Sequence, residues 1–386
     1  MIPYGLHYID KSDIDHVISV LKSDRITQGP LIESFEEALC ECTGAKYAVA
    51  VSSGTAALHL AVLATEIKES EKAITSPISF VASANCVLYA GGVVDFADVF
   101  ENSALINPKL IDEKIKSTTR IIIPVHYGGQ SCNMEMISQI AKKHNICIIE
   151  DAAHAIGSEY MGEKIGSCKY SEMCIFSFHP VKTLTTGEGG AITTNDRVIY
   201  NKLCMLRSHG ITKIKENWVE DGGPWYYEMQ LLGFNYRMTD FQAALGLSQL
   251  EKLDKFIKRR FEIADYYRKK FENNPVIHCI EYNINSITAW HIFPLMVDFE
   301  ELNINKIHFF QAMKEKGISL QVHYIPIYYH PFYRKNLGFK KGLCPNAERY
   351  FNKTFTIPLY PSMKDEEIEY VAECIISYFN DSIRKK

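Results

Sequence analysis

The sequence predicts an α/β protein: a mainly parallel sheet with helices on both faces, followed by a smaller α+β unit. Three observations carry this. From about residue 45 onward, short β-branched runs alternate with segments of helical periodicity. The runs are apolar along their whole length, as strands covered on both faces must be. No internal repeat, low-complexity stretch or run of about 18 apolar residues interrupts the pattern, which sets aside solenoids and membrane spans.

The elements follow in order. Residues 46–51 (KYAVAV) read as a strand, then SSGT leads into a helix over 56–65. Strands at 72–75, 93–96, 120–125, 146–150, 173–177 and 190–194 bring the sheet to seven. Helices at 80–89, 108–116 and 134–144 lie between them. A helical stretch from 241 to 271 carries Leu245, Leu250, Leu253, Phe256 and Ile257 as its apolar stripe, and the domain boundary is expected within it. Beyond it, strands at 276–280 and 291–297 mix with helices at 306–316 and 365–379.

Composition narrows the function classes. The 386 residues are 47% hydrophobic and 23% charged, enough apolar material for a sizeable core. Lys plus Arg number 42 against 46 Asp plus Glu, a net charge of -4, so the basic excess of a nucleic-acid binder is missing. Eleven cysteines, with no Cys-x-x-Cys pair, argue for a reducing compartment and against a disulfide framework or a zinc site. The opening MIPYGLHYIDKSDIDHV lacks the features of a signal peptide. A cytoplasmic protein without a metal is expected.

Ligands of parallel sheets bind beyond the carboxyl ends of the strands. Four features stand there. Ser52-Ser53-Gly54-Thr55 opens a helix, whose free amides suit an anion; alone, it is an ordinary helix cap. Asp151 follows the apolar strand and precedes Ala152-Ala153-His154; a carboxylate there needs a cationic or donor partner, although a capping Asp and a structural His explain each residue singly. Lys182 closes the loop that begins at Ser177. A loop lysine is ordinarily a solvated charge, but beside apolar surface its pKa falls and its amine becomes a nucleophile. Gly187-Glu188-Gly189-Gly190 is either a turn or a backbone passing close to a ligand. No dinucleotide fingerprint, P-loop, nucleophile elbow or zinc-protease motif competes. Pyridoxal phosphate (PLP) needs an anion cradle, a carboxylate for its pyridine nitrogen, an aromatic face and a lysine, and these parts supply all four, with Phe80 as the aromatic.

The segments SSGTAAL, PISFVASAN, EDAAHAIGS, FSFHPVKTLTTGEGGA, LRSHGI and FNYRMTDFQAALGLSQL resemble the DegT/DnrJ/StrS family of sugar aminotransferases. The resemblance covers nearly the whole chain. It implies the fold-type I architecture of PLP enzymes, with residues 1–256 as the large cofactor domain and 257–386 as the small one. It implies that Lys182 carries the cofactor, that Asp151 binds the pyridine nitrogen and that Phe80 and His154 flank the ring. Gly54, Thr55 and Ser177 would hold the phosphate. Asn235 would reach the phosphate of a neighbouring subunit, which implies a homodimer with shared sites. Some members replace the lysine by histidine and dehydrate their substrate; Lys182 implies amino transfer. At Phe80 and His154 other members often carry Trp and Gln.

GPWYYEMQLLGFNYRMTD and LQVHYIPIYYHPFYR are similar to the branch of the family that aminates C4 of a UDP-linked 6-deoxy-hexos-4-ulose on the route to pseudaminic acid. That similarity implies L-glutamate as donor and sets Tyr4, Arg25, Ile26, Thr27, Gln321, Val322, His323 and Tyr324 along the nucleotide sugar. From the residues alone, QVHYIPIYY is an aromatic core strand and Tyr4 a terminal residue. Arg207 and Arg237 are candidates for the glutamate carboxylate. Two alternatives stay open: a C4 aminotransferase for another nucleotide-linked 4-keto-6-deoxy sugar, and a PLP-binding regulatory protein without turnover.

Overall fold

The computed structural model describes residues 1–220 and 222–384. Its centre is a seven-stranded sheet in the order Tyr47–Val51, Gly190–Thr194, Met173–Ser177, Cys147–Asp151, Thr119–Ile123, Lys72–Thr75, Val93–Phe96. The last five run parallel, and Gly190–Thr194 is antiparallel to both of its neighbours. Full burial of runs such as IIE and CIF explains their continuous apolarity: helices cover both faces, so no alternation is needed. Register aligns Val51, Gly190 and Ser177 across one edge, with Asp151 at the end of the next strand, opposite Ile175.

The helix Gly54–Ala64 is apolar nearly all round, and Ala56 through Val62 are buried. Such a helix belongs inside the protein, which seats its N-terminus against the sheet edge. Met134–His144 shows the opposite pattern. It buries Met134, Ile137, Ile140 and Ala141, and it ends in Lys142, Lys143 and His144, which complement the negative end of its dipole.

The stretch expected as one helix over 241–271 is two, Asp240–Leu250 and Leu253–Phe271. Glu251 and Lys252 stay near helical angles but break the ladder. Two further expectations shorten: 276–280 pairs only over His278–Cys279, and 291–297 over Phe293–Met296. With Thr354–Ile357 these form an antiparallel three-stranded sheet. A second small sheet joins Ser286–Ile287, Glu159–Tyr160 and Glu163–Lys164.

The buried apolar side chains form two clusters. One surrounds the large sheet; the other, from Ile263 to Phe379, surrounds the small antiparallel one. Ile327, Tyr328, Tyr333, Cys344, Ala347 and Tyr350 pack on the first cluster although in sequence they fall within the span of the small unit. We propose that the domains divide within Leu253–Phe271, with residues 327–350 as an arm of the small unit that reaches back to the large one. No described helix is long and apolar enough to cross a membrane.

Candidate active site

At the N-terminus of Gly54–Ala64, Ser53 caps the helix: its Oγ accepts from the Ala56 N–H at 3.0 Å and its carbonyl from the Ala57 N–H. The amides of Gly54 and Thr55 are left at the positive end of the dipole. Gly54 lies directly against Ser177, and a Cβ built on Gly54 would stand 2.7 Å from Ser177 Cβ and 3.0 Å from its Oγ. Gly190 is equally confined, with a Cβ 2.4 Å from the Ser53 carbonyl oxygen. Among the described residues the Ser177 hydroxyl makes no hydrogen bond. Two backbone donors and a hydroxyl therefore share a cradle that only glycines leave open.

Asp151 is 3% exposed. Ser83 Oγ donates to its Oδ2 at 2.6 Å and the Ala153 N–H to its Oδ1 at 3.2 Å. Burial pushes its pKa up, opposed by these two donors and by the charges of Lys182 and His126. Lys182, partly buried in the loop after Ser177, answers it. Burial lowers the amine's pKa to about 8, and the Asp151 charge limits the fall. The Lys182 N–H is held by the His179 carbonyl at 2.8 Å.

Around this pair His154 and His323 are neutral, whereas His126, paired with Glu150, is pushed up to about 10 and stays charged. His154, 5% exposed, is held well below the usual histidine range by burial and by the charge of Lys182. Burial and Lys182 likewise push His323 down to about 3. The Gly128 N–H donates to His154 Nδ1 at 3.3 Å, so that nitrogen is an acceptor and the proton sits on Nε2, 3.0 Å from the Tyr324 hydroxyl. His323 Nδ1 lies 2.9 Å from Thr356 Oγ1, its carbonyl accepts from the Tyr127 hydroxyl, and its ring lies 5.3 Å from Tyr4. Tyr4 is thus packed, and Leu6, His7 and Tyr8 border a small cavity of about 10 Å³ with Lys182 and Thr183. Phe80, after the strand Lys72–Thr75, is 58% exposed, and its carbonyl accepts from the same Ser83 that binds Asp151.

The fold therefore assembles Gly54, Thr55, Ser177, Asp151, His154, Lys182, His323, Tyr324 and Tyr4, with Phe80 linked through Ser83. Gln321 and Val322 run beside them, since Gln321 pairs with Thr356. Others stand apart. Thr27 pairs with Thr239, Arg25 and Ile26 are exposed, and exposed Asn235 pairs with Ser208. Among the described residues no hydrogen bond or ring contact joins these four to the Lys182 group. Arg207 is committed elsewhere: Nη1 bonds the Glu36 carboxylate and, at 2.8 Å, the Ala50 carbonyl. Arg237 bonds Ser208 Oγ at 3.0 Å. Sequence reasoning missed Ser83, whose signal was its place three residues after Phe80, and His291, for which AWHIF gives none.

These residues fit PLP. A buried carboxylate awaits a cation, a glycine-lined cradle offers anion donors, and a lysine with a lowered pKa is coupled to the carboxylate. Among the described residues no group of three His, Cys, Asp or Glu side chains is arranged for a metal.

Comparison with known proteins points to the same cofactor. The model of the DegT/DnrJ/EryC1/StrS aminotransferase family matches residues 7–376. The chain is 40% identical over 379 residues to the UDP-4-amino-4,6-dideoxy-N-acetyl-β-L-altrosamine transaminase of Campylobacter jejuni, covering 98% of this chain and 97% of that one. It is 39% identical over 375 residues to the spore coat polysaccharide biosynthesis protein SpsC of Bacillus subtilis, covering 97% and 96%. The PLP form of Spr1654 from Streptococcus pneumoniae, assigned as a sugar aminotransferase, superimposes with a TM-score of 0.89 at 29% identity, over 100% of this chain and 99% of that one.

Proposed function

Because the chain belongs to the DegT/DnrJ/EryC1/StrS family and is a PLP-dependent sugar aminotransferase, we propose that it moves the amino group of L-glutamate to C4 of UDP-2-acetamido-2,6-dideoxy-β-L-arabino-hex-4-ulose. The products are UDP-4-amino-4,6-dideoxy-N-acetyl-β-L-altrosamine, a precursor of pseudaminic acid, and 2-oxoglutarate. Carbonyl and amine are exchanged between the two substrates, so no oxidant or reductant is required. The observation that supports the reading most is the meeting of the Lys182 amine and the Asp151 carboxylate in one buried site.

When bound, PLP supplies an aromatic ring that takes up the electron pair left as the α-proton departs. The protein's own groups do the rest. Asp151, held by Ser83 and the Ala153 amide, keeps a proton on the ring nitrogen. The Gly54 and Thr55 amides with the Ser177 hydroxyl hold the phosphate. Phe80 and His154 would flank the ring. Lys182 Nζ, whose pKa burial lowers to about 8, would hold the cofactor and, once released, would serve as the base for the donor's α-proton. Tyr4, Arg25, Ile26, Thr27 and Gln321 through Tyr324 border the nucleotide sugar. The enzyme works as a cytoplasmic homodimer, with exposed Asn235 reaching the partner's phosphate cradle.

Incubation with glutamate and each C5 epimer of the 4-keto sugar nucleotide, with the product identified by NMR, tests the assignment. Amination of the L-arabino substrate alone is expected; exclusive use of the other epimer would refute it. The comparable identity to SpsC supports a second reading, a different nucleotide-linked 4-keto-6-deoxy sugar, and the same experiment separates the two.

A further inference from the structure

His291 has no role in the mechanism above, yet it sits at the centre of the site. It is 4% exposed, and its ring lies 4.3 Å from the His154 ring, inclined at 42°. Its backbone is fixed on both sides: the N–H donates to the Gly128 carbonyl at 3.0 Å and the carbonyl accepts from Arg260 Nη1 at 3.1 Å. Gly129 makes this approach possible, since a Cβ there would stand 3.0 Å from the His154 carbonyl oxygen and 3.1 Å from the Trp290 nitrogen. Nδ1 is buried without a partner, and among the described residues the side chain makes no hydrogen bond. What His291 offers its neighbour is the ring itself.

We propose that His291 is a positioning residue for the transamination: its ring backs His154 and fixes that imidazole in the one orientation in which Gly128 donates to Nδ1 and Nε2 donates to Tyr324. A flipped His154 ring would turn a carbon toward the Gly128 amide and lose the Tyr324 contact. Packed at 4.3 Å against the His154 ring, His291 hinders the out-of-plane turn that such a flip requires. The charged and titratable groups facing His291 are His154, Lys182, Arg260 and His323, with no carboxylate among them. Burial and these neighbours hold His291 well below the usual histidine range, so two neutral rings pack without charge repulsion. The inference rests on the reading that His154 faces the cofactor.

Three variants test it: His291→Ala removes the ring, His291→Asn keeps a polar group near Nδ1 without the ring, and His291→Phe keeps a ring without nitrogen. Each is measured for cofactor affinity, the absorption of the bound cofactor, the pH profile of kcat, and thermal stability of the cofactor-free protein. Ala and Asn should each lower kcat by about tenfold or more through misplacement of His154, with a displaced absorption maximum and pH profile. Phe should restore all three to within about threefold of wild type and melt no lower. Wild-type spectra and pH profile in Ala, or rescue by Asn but not by Phe, would overturn the proposal. Should His291→Ala fail to fold, the Asn and Phe pair decides alone. A wild-type protein without cofactor at Lys182 would instead refute the underlying reading.

Discussion

The substitution Gly54→Ala probes the phosphate cradle with a single methyl group. Its Cβ would meet Ser177 Cβ at 2.7 Å, Oγ at 3.0 Å and Cα at 3.3 Å. Carbon pairs are most favourable at about 3.5–4.0 Å, so the shortfall is roughly 1 Å. Neither side can yield by swinging a long side chain: Ser177 ends a central strand, and Gly54 begins a buried helix. Helix start and strand end must separate. Overpacking of this kind costs about 1–3 kcal/mol of stability. The same movement pulls the Gly54 and Thr55 amides away from the Ser177 hydroxyl. Losing one hydrogen bond to a charged group costs about 1.5–3 kcal/mol, or roughly 10- to 100-fold in cofactor affinity. Gly162→Ala is the control. Gly162 has a φ of +79° and nothing within 4 Å of its would-be Cβ, so alanine there costs about 1–2 kcal/mol of backbone strain without a clash. Cofactor titration and thermal melting of both variants check the argument. Both should melt below wild type, but only Gly54→Ala should bind PLP weakly. Wild-type affinity in Gly54→Ala would refute the cradle.

Three further outcomes are expected. Ser83→Ala removes the 2.6 Å donor that lowers the pKa of Asp151; the acid limb of the kcat profile should move to higher pH, and an unmoved limb would contradict the coupling. In the cofactor-free protein, pH-dependent reductive methylation read by peptide mass spectrometry should find Lys182 titrating at about 8, and lower still in Asp151→Asn, which removes the charge that raises it. A Lys182 that titrates with surface lysines would oppose the assigned burial. Arg207→Met leaves the Glu36 carboxylate buried without its cation, which should cost about 3–5 kcal/mol while leaving KM for glutamate unchanged; a selective rise in that KM with unaltered stability would return Arg207 to the substrate.

The sheet was readable because strands buried on both faces write themselves as uninterrupted apolar runs. Lys72–Thr75, Val93–Phe96 and Gly190–Thr194 fall where those runs do. The rule that ligands bind beyond strand ends then singled out Gly54, Asp151 and Ser177 as candidates, and the fold sets all three at strand ends on one side of the sheet. Other features left no local mark. No glycine or proline announces the break at Glu251 and Lys252. Arg207 could be weighed for a substrate carboxylate only because Glu36, 171 positions away, gives no hint in the text that it is the partner. His291 is one apolar-flanked histidine like any other until the fold lays it on His154. Periodicity reports which face is buried, and pairings over long separations need the topology.

Borohydride reduction of the holoenzyme followed by peptide mapping tests the central claim most directly. A reduced pyridoxyl adduct on Lys182, and its absence from Lys182→Ala together with the loss of cofactor absorption, is the predicted result. An adduct on another lysine, or none at all in protein saturated with PLP, would contradict the account.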